Sequence, residues 1–301
     1  MDQYLQVFIK VAEKKSFSRT AEELLMTQPA VSQYIRMFEE NMGVRLLERT
    51  NKYVRLNKAG EIVYHHAKEI IGLYSRMQNL VDDLVHKASG PLSIGASFTF
   101  GEYVLPRIIA KLHQTFPEIK PTVTISNTAE IASYVKRHQL DIGIVEGHFK
   151  KEQNMQVEGF AEDNMIIVVS PKHPLAQKNN VTIQDLEQQT WVVREMGSGT
   201  REAMENLFQR YGISPDNLIN FGSTQPIKEA VEAGLGISLL SQWAVKKELY
   251  YGALQIIKVQ GLPFIRQFSI VTASPFQSKA LQVFIDLLRN NKELTTFTSS
   301  S

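Results

Sequence analysis

The chain contains no cysteine, which excludes disulfides, thiolate metal sites and a cysteine nucleophile. It has only two tryptophans, Trp191 and Trp243, better suited to core or lobe-interface packing than to a stacking platform. No apolar run approaches the length of a membrane span, and the opening MDQYLQVFIKVAEKK lacks the basic-then-apolar layout of a secretion signal. A cytoplasmic protein without membrane contact is the expectation. Charge of one sign is scarce too: 33 Lys+Arg against 31 Asp+Glu leave a net +2, so overall charge does not mark a nucleic-acid binder. Catalytic signatures are also missing. Gly197-Ser198-Gly199 lacks the nucleophile-elbow frame, Gly234-Leu235-Gly236 precedes a strand rather than a helix, and no phosphate-loop lysine motif occurs. His65 and His66 are adjacent and cannot form an i, i+4 metal pair, while His113, His138, His148 and His173 are isolated. No enzyme, metal or cofactor is expected.

What is present divides into three stretches. At 301 residues, 43% hydrophobic and 21% charged, the chain has the length and composition of two or three ordinary globular domains. Residues 16–36, SFSRTAEELLMTQPAVSQYIR, write out two short helices and a tight turn. Ser18 stands where an N-cap belongs, and Ala21, Leu24 and Leu25 supply an apolar face at helical spacing. Thr27 is a second N-cap, followed by Gln28 and by Pro29 in the first turn, where a missing amide costs nothing. Ala30, Val31, Ile35 and Phe38 bury one side of the second helix. Gln28, Ser32, Gln33 and Arg36 face outward as major-groove reading requires, with Thr27, Pro29 and Ala30 completing the surface. Upstream, Leu5, Phe8, Ile9 and Ala12 form an amphipathic helix to pack behind the pair. Downstream, Leu46 and Leu47 anchor a strand, Thr50-Asn51-Lys52 turns, and Val54 and Leu56 alternate with Arg55 and Asn57 in a returning strand. Arg49, Lys52 and Arg55 on this wing suit phosphate contacts. Residues 1–58 carry ten basic and seven acidic side chains, net +3, with the acids expected mainly on helix starts and the outer face. Three-helix units with similar capping occur in proteins that never touch DNA; the wing and the segment after it favour double-stranded DNA as partner.

In that segment Val63, Ala67, Ile70, Tyr74, Met77, Val81 and Leu84 recur at intervals of four and three. Such a heptad argues for a coiled-coil dimerisation helix, ending at the breaker cluster Ser89-Gly90-Pro91. From residue 92 short apolar strands (LSIGAS, PTVTIS, LDIGIVEG, NMIIVVS, TWVVRE, LINFGS, GISLLS, FSIVTAS) alternate with helices over 103–116, 129–137, 200–211, 226–233, 242–248 and 275–288. That alternation implies an α/β fold with largely parallel sheets in two lobes. Residues 291–301 have no periodicity and read as a frayed tail. Ligands of such folds sit at the carboxyl ends of strands. Three strand-to-helix junctions offer hydroxyls beside helix-start amides: Ser97, Phe98 and Thr99; Gly197, Ser198, Gly199 and Thr200; and Thr224 after Gly222-Ser223. Each alone reads equally as ordinary capping; three on one cleft make the stronger case.

FSRTAEELLMTQPAVSQYIRMFEENMGVRLLER, followed by a wing and an Ala-Gly pair before a long helix, resembles the signature of the LysR-type transcriptional regulators, and the resemblance extends over essentially the whole chain. One departure is Asn57, where the family usually has threonine, but Asn caps a helix equally well. The resemblance implies an N-terminal all-α winged helix-turn-helix with a long linker helix, and a C-terminal α/β two-lobed domain similar to type II periplasmic binding proteins. Its chain would cross between lobes near 161–163 and return near 263–267. The domains expected are residues 1–58 (DNA binding), 59–90 (dimerisation helix and hinge) and 91–301 (effector binding, lobe I about 91–161 and 267–301, lobe II about 162–266). GASFTFGEYVLP resembles the branch that regulates sulfur assimilation and carbon fixation. That branch implies a small anion or metabolite as effector, with Ser97, Thr99 and Thr200 matching ligand-contact positions. Glu146 stands where the family often has a small polar residue; a carboxylate there would repel an anion unless paired or protonated, with Arg194 or a cationic group on the effector as candidate partners.

A pure solute-binding protein would leave residues 1–88 unused, and a nucleoid-type DNA binder would leave the two-lobed domain idle. Only an effector-responsive regulator, activating or repressing as a homodimer or homotetramer beside RNA polymerase, uses every segment.

Overall fold

The computed structural model describes residues 2–50, 53–82, 88–147, 155–259, 261–274 and 276–291. Lys52, Leu84 and His148 and almost all of the 291–301 tail lie outside them. The chain forms two units, residues 1–82 and 83–301.

The first unit runs α1 (Asp2–Lys14), α2 (Phe17–Glu23), α3 (Gln28–Met42), β1 (Leu47–Arg49), β2 (Val54–Leu56) and α4 (Lys58–Asp82). Three caps set the helix ends. Thr27 Oγ1 accepts the Ala30 amide and Pro29 occupies the first turn of α3, as the sequence indicates. Asn57 Oδ1 accepts the Gly60 amide at the start of α4. The cap of α2 is Ser16, which accepts from Arg19, and Ser18 lies inside the helix. The expectation for Leu25 also fails: it is 96% exposed. Helix α2 ends at Glu23, and Leu25 takes a left-handed conformation (φ 52°) to turn the chain toward α3, which swings its side chain off the apolar face. Phe8, Val31, Ile35 and Leu46 are fully buried and form the centre of this core, and the Phe8 and Phe38 rings sit 5.4 Å apart. Ala67 is buried in the same core and Val63 packs on it. Ala67 is thereby spent on holding α4 to its own domain, whereas Val63 stays half-exposed.

The second unit runs β3 (Gly90–Ser97), α5 (Phe98–Tyr103), α6 (Leu105–Thr115), β4 (Ile119–Ser126), α7 (Thr128–Lys136), β5 (Ile142–Glu146), β6 (Gln156–Val169), α8 (Ile183–Glu187), β7 (Thr190–Arg194), α9 (Gly199–Tyr211), β8 (Asn217–Phe221), α10 (Thr224–Glu232), β9 (Ser238–Ser241), α11 (Gln242–Tyr250), β10 (Gln255–Ile257), β11 (Phe264–Thr272) and α12 (Lys279–Arg289). The helix expected over 103–116 is α6, and an unexpected short helix, α5, precedes it and is separated from it at Val104. Pro106 sits in the first turn of α6, where it cannot continue a preceding helix because its ring crowds the carbonyl four residues back. The short α8 and β10 carry too little periodicity to be expected.

The sheets are mixed rather than largely parallel. Strands β4, β3 and β5 are parallel, as are β7 and β8. Strand β11 runs antiparallel to β5 on one side and to β6 on the other, and β6 also pairs antiparallel with β9 and β10. Strands β6 and β11 are long because they are the two crossings: they pair from Thr272–Gln156 in one half to Phe264–Met165 in the other, with one irregularity between Phe268 and Ser269. The expected crossing positions fall within this ribbon. Separate apolar cores fill the halves, one around Phe100, Ile108 and Phe284, the other around Trp191, Leu207 and Leu239.

Candidate DNA-reading and effector sites

On α3, Gln28, Gln33 and Arg36 are exposed and Ser32 half-exposed, while Val31, Ile35 and Phe38 point inward. Gln28 Nε2 donates to Ser32 Oγ at 3.1 Å, and Arg36 Nε meets Glu40 Oε1 at 3.0 Å, a surface i, i+4 pair. Such pairs contribute a few tenths of a kcal/mol and leave the guanidinium available to a base edge. Ala30 is half-buried beside exposed Pro29 and Thr27. The structure thus places Thr27, Gln28, Pro29 and Ala30 at the start of α3, with Ser32, Gln33 and Arg36 further along it.

The wing differs in detail. Arg55 pairs with Glu48 at 2.6 Å and lies over Tyr53 on the surface. Arg49, expected on phosphate, stays accessible, with 39% of its side chain exposed, while it ties the wing to α3. Its Nη2 donates to Glu39 Oε2 at 2.7 Å and its guanidinium stacks over Phe17. Glu39 is buried and its other oxygen accepts the Leu46 and Leu47 amides, so the Glu39–Arg49 pair fastens the wing to α3. This places Glu39 away from the outer face expected for the acids. Its spacing of four from Ile35 puts it on the buried side, and that is the signal the sequence offers.

Beyond Ala67 the described seam residues stay uncovered: Ile70, Tyr74, Met77 and Val81 are each 41–58% exposed, as are Ile62 and Leu73. A groove of about 570 Å³ opens alongside, lined by Tyr4, Phe38, Met42, Ile62, His66 and Ile70 among others.

In the second unit two of the expected hydroxyl residues and Glu146 converge on a residue that sequence reasoning does not name. Arg266, on β11, is fully buried and donates from Nη1 to Thr200 Oγ1 at 3.0 Å and from Nη2 to Thr99 Oγ1 at 3.1 Å. Thr99 opens α5 in one half and Thr200 opens α9 in the other. The same guanidinium meets Glu146 Oε2 at 2.9 Å and Asp163 Oδ2 at 2.7 Å. Glu146 therefore pairs with Arg266 rather than with Arg194. Its other oxygen accepts the Phe100 amide, and Asp163 Oδ1 accepts from Ser241 Oγ at 2.6 Å. Burial pushes the Asp163 carboxyl above its usual range against the pull of Arg266. Burial also works against the charge of Arg266, but the facing carboxylates outweigh it and hold its pKa above the ordinary value. Because Thr99 and Thr200 each accept a guanidinium N–H, their own O–H groups are oriented as donors. Ser97 Oγ is turned inward onto the Ile144 carbonyl at 3.3 Å, a strut within the sheet rather than a lining hydroxyl.

The remaining effector candidates form two further groups. Gly199 packs so closely against Glu146 that a β-carbon would lie 2.3 Å from its carbonyl oxygen, so only glycine lets α9 start there. Ser198 caps α9 and, with Gly197, Thr128 and Ala129, lines a cavity of about 270 Å³. The Ala129 amide donates across it to the Gly197 carbonyl at 3.1 Å. Thr224 and Phe98 belong instead to Arg194, whose Nη1 reaches Thr224 Oγ1 at 3.3 Å and whose guanidinium lies 4.4 Å from the Phe98 ring centroid. The described residues contain no cluster of three or more potential metal-ligating side chains. No helix among them is long and apolar enough to cross a membrane.

Two family models cover nearly all of this architecture. Residues 3–61 match the bacterial regulatory helix-turn-helix protein, lysR family, and residues 86–293 match the LysR substrate binding domain. The HTH-type transcriptional regulator CysL of Bacillus subtilis is 36% identical over 288 residues, covering 95% of this chain and 96% of that protein. The HTH-type transcriptional regulator CbbR of Rhodospirillum rubrum is 35% identical over 267 residues, 89% of this chain and 88% of its own. Among solved structures, the CcmR regulatory domain of Synechocystis PCC6803 in complex with 2-PG aligns with a TM-score of 0.61 at 28% identity, covering 69% of this chain and 99% of that one. The chain belongs to the LysR family of transcriptional regulators. It is a DNA-binding regulator with an effector domain, and the relatives named are regulators rather than enzymes.

Proposed function

We propose that the chain binds pseudo-palindromic sites in double-stranded DNA as a homodimer that pairs into a homotetramer in the cytoplasm, and that a small anionic metabolite between its C-terminal halves alters the spacing or bend of bound DNA and hence the engagement of RNA polymerase. In this reading residues 1–58 contact DNA, with Thr27, Gln28, Pro29, Ala30, Ser32, Gln33 and Arg36 on the groove and Arg49, Lys52 and Arg55 on phosphates. Residues 59–90 dimerise through Ile70, Tyr74, Met77 and Val81, a second copy of α4 covering the exposed stripe and the groove beside it. Residues 91–301 bind the effector.

The single observation that carries the effector half of this reading is Arg266 holding Thr99 of one half and Thr200 of the other with one guanidinium. A ligand accepting from both hydroxyls would stabilise one relative position of the halves over others, which is what coupling two sites requires. The 2-PG complex of the CcmR domain supports a small ligand in this fold.

Two measurements test the reading. Arg36→Ala is expected to weaken operator binding about 5- to 150-fold, the loss of one base-reading arginine at about 1–3 kcal/mol. Its helix content should stay the same, since the residue makes only a surface pair; unchanged operator affinity removes Arg36 from the reading surface. In a metabolite panel scored by electrophoretic mobility of the operator complex, Thr200→Ala and Thr99→Ala are expected to lose the effector-dependent change. A full response in both variants would move the effector elsewhere.

A further inference from the structure

The effector domain buries two arginines, and they differ in what neutralises them. Arg266 is saturated: each carboxylate it meets is itself buried and has a second partner, the Phe100 amide for Glu146 and the Ser241 hydroxyl for Asp163. Displacing either would strand a buried anion, which is strongly destabilising. Arg194 is equally buried, with 1% of its side chain exposed, but among the described residues its single counter-ion is Glu195, the next residue, with 28% exposed. The contact is bidentate, Nε to Oε2 and Nη2 to Oε1, both at 2.7 Å. It joins no two distant parts of the chain, so it contributes little to the fold. Released, the Glu195 carboxylate has water beside it and loses little, whereas Arg194 without an anion would be an uncompensated buried charge.

The surroundings of Arg194 suit an incoming group. Phe98 covers one face of the guanidinium and Thr224 Oγ1 meets Nη1. Ser223, at the start of the nine-residue α10, makes no side-chain cap bond, and the Cα of Gly222 faces open space. A planar carboxylate, or two oxygens of a sulfate or phosphate, matches the same fork that Glu195 now fills.

We infer that Arg194 is the receptor for the anionic group of the effector, and that Glu195 is a built-in occupant which that group displaces. The inference rests on the effector reading above and deepens it. Arg266 couples the halves, Arg194 recognises charge, and Glu195 sets how strong an anion must be to enter. Phe98 and Thr99 are consecutive at the start of α5, so occupation of Arg194 and the hydroxyl pair are felt by the same helix.

The test uses the full chain with inorganic sulfate, inorganic phosphate and acetate as probes, read by thermal shift and by titration of tryptophan emission against chloride at equal ionic strength. Glu195→Gln keeps the volume and removes the charge; it is expected to bind at least one of the three probes at least tenfold more tightly than the unaltered chain does. Arg194→Lys, which keeps a charge but loses the fork, is expected to lose most of that affinity, and Arg194→Gln all of it. Because a buried substitution can fail to fold, the exposed-side variant Glu195→Gln is the deciding one. Equal or weaker anion affinity in Glu195→Gln, or no stabilisation of it by any probe, overturns the inference. Thr200→Ala separates the two readings. If it loses the response to organic effectors while Glu195→Gln shows no gain, the cleft stands and the displacement fails. If Glu195→Gln gains anion affinity while Thr200→Ala responds normally, the Arg194 receptor stands and the hydroxyl pair is not part of the effector site.

Discussion

Arg266→Met is expected to destabilise residues 83–301 by about 3–5 kcal/mol, the cost of removing one partner from a buried ionic cluster. Four groups lose their donor at once: Glu146, Asp163, Thr99 and Thr200. The two carboxylates are the expensive ones, because each remains buried beside the other. Lysine is not expected to rescue the position, since one ammonium cannot reach four acceptors in the plane of a guanidinium. The measurement is urea unfolding followed by tryptophan emission. Both tryptophans, Trp191 and Trp243, lie in this unit, so the signal reports it alone. A loss below about 1 kcal/mol, the ordinary range for a surface pair, would mean that the cluster is far better hydrated than its burial implies. Combining Arg266→Met with Glu146→Gln and Asp163→Asn should recover a large part of the loss, because the penalty arises from stranded charge rather than from lost attraction. A triple variant as unstable as the single one would contradict that account.

In the proposed assembly Ile70→Asp with Met77→Asp is expected to split the tetramer into dimers that keep only its other interface and to weaken operator binding by about 10²–10⁴-fold, the range by which joining two binding modules exceeds either alone. Both side chains are about half exposed in the single chain, 49% and 52%, so carboxylates there are solvated in the monomer. In a two-helix seam they would face an apolar partner without water. The asymmetry makes the pair diagnostic: helix content and tryptophan-monitored stability should hardly change, while mass by light scattering halves. An unchanged mass in the double variant would place the seam on another face of α4.

The helix-turn-helix is legible because capping and the 3.6-residue period are local. Thr27, Pro29, Val31, Ile35 and Phe38 can be read without knowing what they touch, whereas Ser16 and Ser18 both sit where a serine could cap and only the observed bond to Arg19 decides between them. Leu25 defeats the pattern because a left-handed residue breaks the period it is counted in. In the effector domain the strand-to-helix hydroxyls are legible for the same local reason. Their common partner is not: Arg266 lies 66 residues from Thr200, 103 from Asp163 and 167 from Thr99, and no spacing rule spans such distances. A hint exists in the charges that interrupt two apolar strands, Asp163 before Met165–Val169 and Arg266 before Phe268–Val271. Arg194 is the nearer candidate as the partner of Glu146 because it ends a strand in the expected cleft, but the fold gives it Glu195. The seam is overcounted at Ala67 because a heptad does not tell which of its members a helix spends on its own domain.

The ribbon formed by β6 and β11 has a mechanical consequence. A loop hinge lets two bodies swing freely, but a hydrogen-bonded strand pair yields mainly by twisting, since sheets already carry a right-handed twist that varies at low cost. With the register kept along the ribbon from Gln156 to Met165, apart from the irregularity at Phe268/Ser269, the halves are joined as by a torsion bar. In the proposed mechanism, an effector between the halves would wind them through a limited angle against an elastic restoring force, a graded response in place of an open-or-shut one.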